Sequence, residues 1–311
     1  MGRVPDALQG RSVLVTGADG FVGTHLCAAL QAQGIETHRL VRRISHLSEP
    51  VDSNIWELDI GDGPALRDAI TTIEPDAIVH LAAVSDVAHE DVAELYTTNV
   101  MGSRHLLQAV VDSGASPKRI LLASSGQVYG RQACAVIEEN SSIAPKSDYG
   151  VSKVAMENLA ALYSDRLPIM IARSFNMIGV GQDDRFIASK LVNHFAKRYR
   201  TIEVGNIEVE RDFSDVRDAC QAFIRLLGVP AAVGKTVNVC SGHAISVKSM
   251  ISALQDFTGH RIRVRTNPAF VRENEVPSLC GSRALLDSLI GPMRLRPIEE
   301  TLAWMLEHAA Q

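Results

Sequence analysis

No apolar run in this chain approaches the roughly 20 residues that cross a bilayer, so no membrane span is expected. The N-terminal stretch MGRVPDALQGRS has no apolar signal core ahead of the first strand-like run, and a cytoplasmic location is expected. There is no excess of one charge: the net is -5 with the signs interspersed, which argues against a nucleic-acid surface. Cysteine is sparse and unpatterned. The five (Cys27, Cys134, Cys220, Cys240, Cys280) are odd in number and contain no C-x-x-C. That spacing supports neither a disulfide framework nor a zinc site, so reduced thiols and no metal are expected. What the chain does have is apolar material. At 46% of 311 residues it suffices for one large or two smaller domains.

SVLVTG is a short β-branched run closing on glycine, the pattern of a buried parallel strand. FVGTHLCAALQAQG follows with helical apolar spacing and stops at Gly34. IETHRLVRR, NIWELDI, DAIVHLAA and KRILLAS are further strand candidates, separated by the helical stretches GPALRDAITTI and DVAELYTTNVMGSRHLLQAVVDSG. Another helix runs from Ser147 to Arg166, followed by the strand PIMIARSF. This alternation predicts the α/β class, with a Rossmann-type doubly wound parallel sheet. After Asn176 the alternation weakens. GVGQDDRF reads as a loop, FIASKLVNHFAKR as a helix, and TVNVCSG as a strand able to return to the main sheet. The expected domains are residues 1–175 for a cofactor, rejoined by about 212–242, and residues 176–311 as mainly a smaller C-terminal α/β substrate-binding domain.

The first strand–helix junction carries Gly17, Gly20 and Gly23 as G-x-x-G-x-x-G, with Phe21 and Val22 between the last two. Glycine there permits a tight turn and close approach to a pyrophosphate, and the helix N-terminus points amides at it. A nicotinamide dinucleotide is the expected cofactor. NAD binders place an acid at the end of the second strand to accept from the ribose 2′-hydroxyl. Arg42 and Arg43 stand there instead, and guanidiniums suit a 2′-phosphate. NADP(H) is therefore favoured over NAD(H). Asp59 and Ile60 are placed for the adenine edge, and Leu81, Ala82 and Ala83 are compact neighbours for the cofactor.

Tyr149 and Lys153 are four residues apart, on one helix face, and Ser125 closes an upstream strand. Ketone reduction needs hydride on carbon and a proton on oxygen. Tyrosine is a weak acid–base group at its reference pKa of about 10, and an adjacent ammonium favours its phenolate. Ser125 would hold the substrate oxygen near the phenol. Asn99 is a further candidate, supporting the lysine beside the cofactor.

The motifs TGADGFVG, LDI, HLAA, NVMGS, SSGQVYG, YGVSK and RDFSDVRD together resemble those of the extended short-chain dehydrogenase/reductases that act on nucleotide sugars. ARSFNMIGVGQDDRFIASKL, VGNIEVERDFSDVRD, VNVCSG and VRENEVPSLCGS are most similar to the GDP-6-deoxy-D-mannose reductases within them. The resemblance implies a catalytic triad of Ser125, Tyr149 and Lys153. It implies sugar-nucleotide contacts from Ser85, Ser125, Gly126, Gln127, Asn176, Lys190 and Glu275, with Arg211 and Arg272 on the diphosphate. It further implies a homodimer through a four-helix bundle built from helices near 92–112 and 147–166. Two departures stand out. Related 4,6-dehydratases carry an acidic pair after the residue matching Ser125. Gly126-Gln127 cannot supply that acid and base, so an already dehydrated keto-sugar is expected. Val84-Ser85-Asp86 replaces a glutamine ahead of a hydroxyl residue.

The expected activity is NADPH-dependent reduction of a GDP-4-keto-6-deoxy-D-mannose-type sugar to GDP-D-rhamnose. A nucleotide-sugar 4-epimerase retaining tightly bound NAD, and a non-catalytic dinucleotide-binding protein, stay open as alternatives.

Overall fold

The computed structural model describes residues 8–43, 53–87, 89–132, 136–271 and 278–309. In chain order its elements are β1 (Ser12–Thr16), α1 (Phe21–Gln31), β2 (Glu36–Val41), β3 (Ile55–Glu57), α2 (Gly63–Ile73) and β4 (Ala77–His80). A continuous helical run follows: α3 (Val92–Tyr96), a π-helical turn (Thr97–Gly102) and α4 (Ser103–Ser113). Next come β5 (Arg119–Ser125), α5 (Asp148–Ala161), β6 (Ile169–Ser174), β7 (Asn176–Ile178), α6 (Ile187–Ala196), β8 (Thr201–Val204), β9 (Glu210–Asp215) and α7 (Val216–Leu227). The chain ends with β10 (Thr236–Val239), β11 (Ala244–Ser246), α8 (Val247–Thr258), β12 (Arg263–Thr266), β13 (Ser278–Leu279), α9 (Ala284–Ile290) and α10 (Ile298–Ala309).

Seven strands form one sheet in the order β10-β6-β5-β4-β1-β2-β3, every pair parallel. Its central strands are covered on both faces, which is why they read as unbroken apolar runs. Val13 and Val15 of β1 pack with Leu26 and Leu30 of α1 and Phe223 of α7. Leu14, between them, points the other way and joins Leu66, Ile70, Leu106 and Met156 of α2, α4 and α5. The fold is thus the α/β doubly wound parallel sheet expected from the sequence. TVNVCSG does return to this sheet, as β10 beside β6.

A second region holds β11-β9-β13 with β7 paired to β9, and the separate pair β12-β8. Its core joins Leu191 and Phe195 of α6, Leu254 of α8 and Leu302 of α10. Asp215 ties it to the main sheet's flank. Its carboxylate caps α7 through the Arg217 amide at 2.8 Å, pairs with the Arg217 guanidinium at 2.6 Å, and accepts from Thr301 Oγ1 of α10 at 2.8 Å.

Two elements differ from the sequence expectation. NIWELDI yields only the three residues of β3 because it is the sheet edge, and Asp59 turns the chain by accepting from the Gly61 amide at 2.7 Å. The helix expected to reach Arg166 ends at Ala161, where the caps turn back and Leu162 is 74% exposed. Among the described residues no helix is long and apolar enough to cross a membrane. Cys27, Cys220, Cys240 and Cys280 are buried. Burial pushes the Cys280 thiol up to about 11, so it is protonated at neutral pH. Cys134 lies outside the described residues.

Candidate active site

β1, β4, β5 and β6 all end at the same edge, so the residues that follow them surround one crevice. Open α/β sheets bind ligands at such carboxyl ends. A cavity of about 280 Å³ lies there. Gly17, Gly20, Phe21, Val22 and Gly23 line one side, Leu81, Ala83 and Ser85 the next, and Ser125, Gly126, Gln127 and Tyr149 another. Among the described residues lining it there is no Asp, Glu, Lys or Arg.

The glycine loop fits a dinucleotide on three observations. Gly17 sits at φ +66°, and a Cβ on it would fall 2.7 Å from the Ala82 backbone nitrogen. A Cβ on Gly23 would lie 2.1 Å from the Gly17 carbonyl oxygen, so the helix could not start so close to the turn. The N-terminus of α1 has no side-chain cap and no acid in its first turn, which leaves its amides directed at the cavity. Ala82 itself backs the loop, with its amide 3.3 Å from Thr16 Oγ1.

The far end of the expected dinucleotide site is exposed. Arg42 lies 3.6 Å from Asp59 and 3.4 Å from Glu94, with 65% of its side chain accessible. Arg43 is exposed beside it. Ile60 is buried against the helical run behind it.

On the catalytic side, Tyr149, Ser125 and Lys153 are buried. Ser147 caps α5 by accepting from the Gly150 amide at 3.2 Å, which starts the helix one residue before Tyr149. Ser125 stands beside the Tyr149 hydroxyl, and its Oγ accepts from the Gln127 amide at 3.2 Å. Lys153 Nζ donates to the Ala123 carbonyl at 2.9 Å and stands 5.9 Å from the Tyr149 ring centroid.

The electrostatics depart from the sequence expectation. Burial raises the Tyr149 hydroxyl above its ordinary range, opposed by the neighbouring Ser125 hydroxyl. Lys153 faces the ring and the Ala123 carbonyl, not the phenolic oxygen, and burial lowers it to about 8. Tyr149 is thus a protonated donor at neutral pH, the form that reduction of a carbonyl consumes.

Asn99 is 1% exposed and its amide is fully engaged within the protein. Oδ1 accepts from the Val84 amide at 2.8 Å, and Nδ2 donates to the Val84 carbonyl and to Ser152 Oγ, both at 3.0 Å. It therefore fixes the loop before Ser85 to α5. The π-helical turn around it lets the side chain reach both partners.

Sequence reasoning missed His80. It is 2% exposed at the end of β4, between Thr16 Oγ1 at 2.7 Å from Nδ1 and Ser103 Oγ at 2.9 Å from Nε2. Ser103 gives its own proton to the Asn99 carbonyl at 2.6 Å, so Nε2 carries the imidazole proton and Nδ1 accepts from Thr16. Burial, reinforced by Lys153, lowers His80 to about 3, and the ring is neutral. Through Asn99 and Ser152, which donates to the Tyr149 carbonyl at 2.8 Å, the chain of bonds joins the glycine turn to the catalytic helix. Ser174, the register partner of Ser125, was also missed. It lines the cavity, and its hydroxyl has no hydrogen-bond partner among the described residues.

Asn176 lines the cavity, with Nδ2 donating to the Asp212 carbonyl at 3.0 Å. Arg211 of β9 and Lys190 of α6 are outside the cavity lining. Lys190 Nζ donates to the Glu203 carbonyl at 2.6 Å and sits 4.5 Å from the Phe270 ring centroid. Arg272 and Glu275 lie outside the described residues. A larger groove of about 710 Å³ between α1 and α7 contains none of the residues expected from the sequence. No group of three or more metal-ligating side chains occurs among the described residues.

The model of the NAD dependent epimerase/dehydratase family matches residues 13–240. The GDP-6-deoxy-D-mannose reductase of Pseudomonas aeruginosa is 34% identical over 290 residues, covering 90% of each chain. The GDP-6-deoxy-D-talose 4-dehydrogenase of Aggregatibacter actinomycetemcomitans is 29% identical over 279 residues, covering 90% of this chain and 91% of that one. Among solved structures, a Burkholderia cenocepacia J2315 protein provisionally named an epimerase superposes with a TM-score of 0.89 at 40% identity, covering 99% of both chains. RMD from Pseudomonas aeruginosa, complexed with NADPH, gives a TM-score of 0.84 at 31% identity, covering 96% of this chain and 99% of that one.

Proposed function

The chain belongs to the NAD dependent epimerase/dehydratase family, the nucleotide-sugar branch of the extended short-chain dehydrogenase/reductases, and on that premise we propose that it reduces the 4-keto group of a GDP-4-keto-6-deoxy-D-mannose-type sugar to give GDP-D-rhamnose. The observation that carries the proposal is Tyr149, buried and protonated beside Ser125, in the cavity that the glycine loop also lines. A nicotinamide bound along the glycine loop supplies the hydride. Ser125 and Tyr149 hold the keto oxygen, and Tyr149 Oη gives it the proton as its charge develops. Gly126 and Gln127 stand where a dehydratase needs an acid and a base, which supports a substrate that arrives already dehydrated.

NADPH is the proposed reductant, on the strength of Arg42 and Arg43 and of the NADPH-bound neighbour. The proposed assembly is a homodimer through the outer faces of α3–α4 and α5. Exposed Val92, Met101, Val151 and Leu162 on or just beyond these helices support it, and light scattering tests it. One observation favours the alternative of a 4-epimerase with retained NAD. Arg42 already has two carboxylate neighbours, which is compatible with an unphosphorylated ribose.

The test is loss of reduced-nicotinamide absorbance with freshly made GDP-4-keto-6-deoxy-D-mannose, using NADPH and NADH in parallel. Turnover that prefers NADPH supports the proposal, with product stereochemistry read by NMR. Absence of turnover, together with NAD carried through purification, moves the assignment to the epimerase.

A further inference from the structure

Three consecutive residues of β5 each engage one residue of α5. Ser125 stands beside the Tyr149 hydroxyl, the Ala123 carbonyl accepts from Lys153 at 2.9 Å, and Ser124 Oγ donates to Glu157 Oε1 at 2.5 Å. Tyr149, Lys153 and Glu157 are spaced by one helical turn, so they form a single row facing the strand. The first two are assigned to the reaction. Glu157 is not, yet it has the most elaborate support of the three.

Its carboxylate is paired with Arg173 of β6 through two bonds, Nε to Oε1 at 3.0 Å and Nη2 to Oε2 at 2.7 Å. The two side chains are only 8% and 10% exposed. Arg173 in turn donates from Nη1 to Tyr129 Oη at 2.9 Å and to the Glu139 carbonyl at 3.1 Å, and Tyr129 donates to Asn238 Oδ1 at 2.7 Å. Bidentate pairing and the Ser124 hydroxyl both fix the orientation of the carboxylate.

We propose that Glu157 is a positioning residue for the reaction: its carboxylate, one turn beyond Lys153, holds the lysine cationic beside Tyr149, and Arg173 with Ser124 holds that carboxylate in place. The role rests on the carbonyl-reductase reading of the triad. The other groups facing Lys153 cannot take it over. On its own helix there is Tyr149, which is protonated; β4 offers neutral His80; β5 offers the Ala123 carbonyl. Burial lowers Lys153, and the charge of Glu157 is the opposing influence.

The test is an NMR titration of the Lys153 side-chain nitrogen in the full-length protein, with its resonance identified by its loss in Lys153→Arg. This measurement needs no sugar substrate. Glu157→Gln alone strands a buried guanidinium and can fail to fold, so the informative variant is Glu157→Gln/Arg173→Met, which removes both charges together. The Lys153 midpoint is expected to fall by at least ~0.5 pH unit, about a threefold fall in the ratio of cation to neutral amine. Arg173→Lys keeps a positive charge beside the carboxylate and is expected to leave the midpoint where it is. The alkaline limb of kcat/KM should move with the midpoint in each variant. A midpoint unchanged in the folded double variant, or lowered equally by both substitutions, overturns the role of Glu157. A shifted midpoint in a protein that turns over no keto-sugar upholds Glu157 and overturns the substrate assignment instead.

Discussion

The wall that carries Tyr149 and the strand end that carries Arg42 are built on opposite plans. At the wall, Tyr149, Lys153, Ser125, Asn99 and His80 are all less than one-tenth exposed, and each is fixed by a strand, a helix and at least one hydrogen bond. At the strand end, Arg42 is 65% exposed and meets Asp59 and Glu94 at distances beyond 3 Å. Buried, fully partnered groups lose much when one member is removed, whereas exposed ion pairs are worth about 0–1 kcal/mol. The chemistry is therefore over-determined by the fold, and the choice between phosphorylated and unphosphorylated ribose is left to loosely held charges.

The largest effect should come from the most constrained atom. Tyr149→Phe removes the proton donor and little else, because the ring remains packed in the wall. Turnover is expected to fall by roughly 10²–10⁴-fold, with dinucleotide affinity within a factor of about two in a fluorescence titration. Undiminished turnover would remove Tyr149 from the chemistry. Gly23→Ala comes next. The added methyl would sit 2.1 Å from the Gly17 carbonyl, and the turn must open to admit it. Dinucleotide affinity is expected to drop by ~10–100-fold, the equivalent of about 1–3 kcal/mol of overpacking.

His80 extends the comparison to pH. Its folded pKa, about 3, lies below the ordinary value of 6.5, so the unfolded chain binds the extra proton first as the solution acidifies. The stability it contributes is complete above pH 6.5 and is lost as pH falls toward 3. Between pH 7.5 and 5 the loss should reach about 2 kcal/mol, read from urea midpoints. His80→Asn is expected to be less stable at neutral pH but to lack this slope. An equal slope in both proteins would show that His80 is protonated in the fold.

Much of this was legible before the structure. Val13, Leu14 and Val15 are fully buried on alternating faces, so β1 had to read as an unbroken apolar run. Tyr149 and Lys153 were legible because four residues is one helical turn, and the glycines because only they allow the turn at Gly17 and Gly23. His80 was not, since its partners Thr16 and Ser103 are 64 and 23 residues away. In the sequence it is only a polar residue closing an apolar strand. The direction of the Tyr149 shift was also hidden: spacing put Lys153 on the right face but could not say that its ammonium would turn to the Ala123 carbonyl. Lys190 illustrates the same limit, for its side chain turns to the Glu203 carbonyl and the Phe270 ring, outside the cavity lining.

The smallest effect is expected where the exposed charges sit. Glu94 draws on both Arg42, at 3.4 Å, and His89, at 3.2 Å. Glu94→Gln removes a carboxylate that competes with a 2′-phosphate for Arg42, without disturbing a buried group. The ratio of NADPH to NADH affinity should rise, but by less than about fivefold, because an exposed pair of this kind contributes under ~1 kcal/mol. Arg42→Ala should lower the same ratio. Raising salt should shrink both differences, since charges this exposed are screened beyond roughly 8–10 Å. If Glu94→Gln leaves the ratio unchanged while Arg42→Ala strengthens NADH binding, Arg42 is an adjunct of the acidic cluster, not a phosphate ligand. The cofactor of this chain would then be NAD.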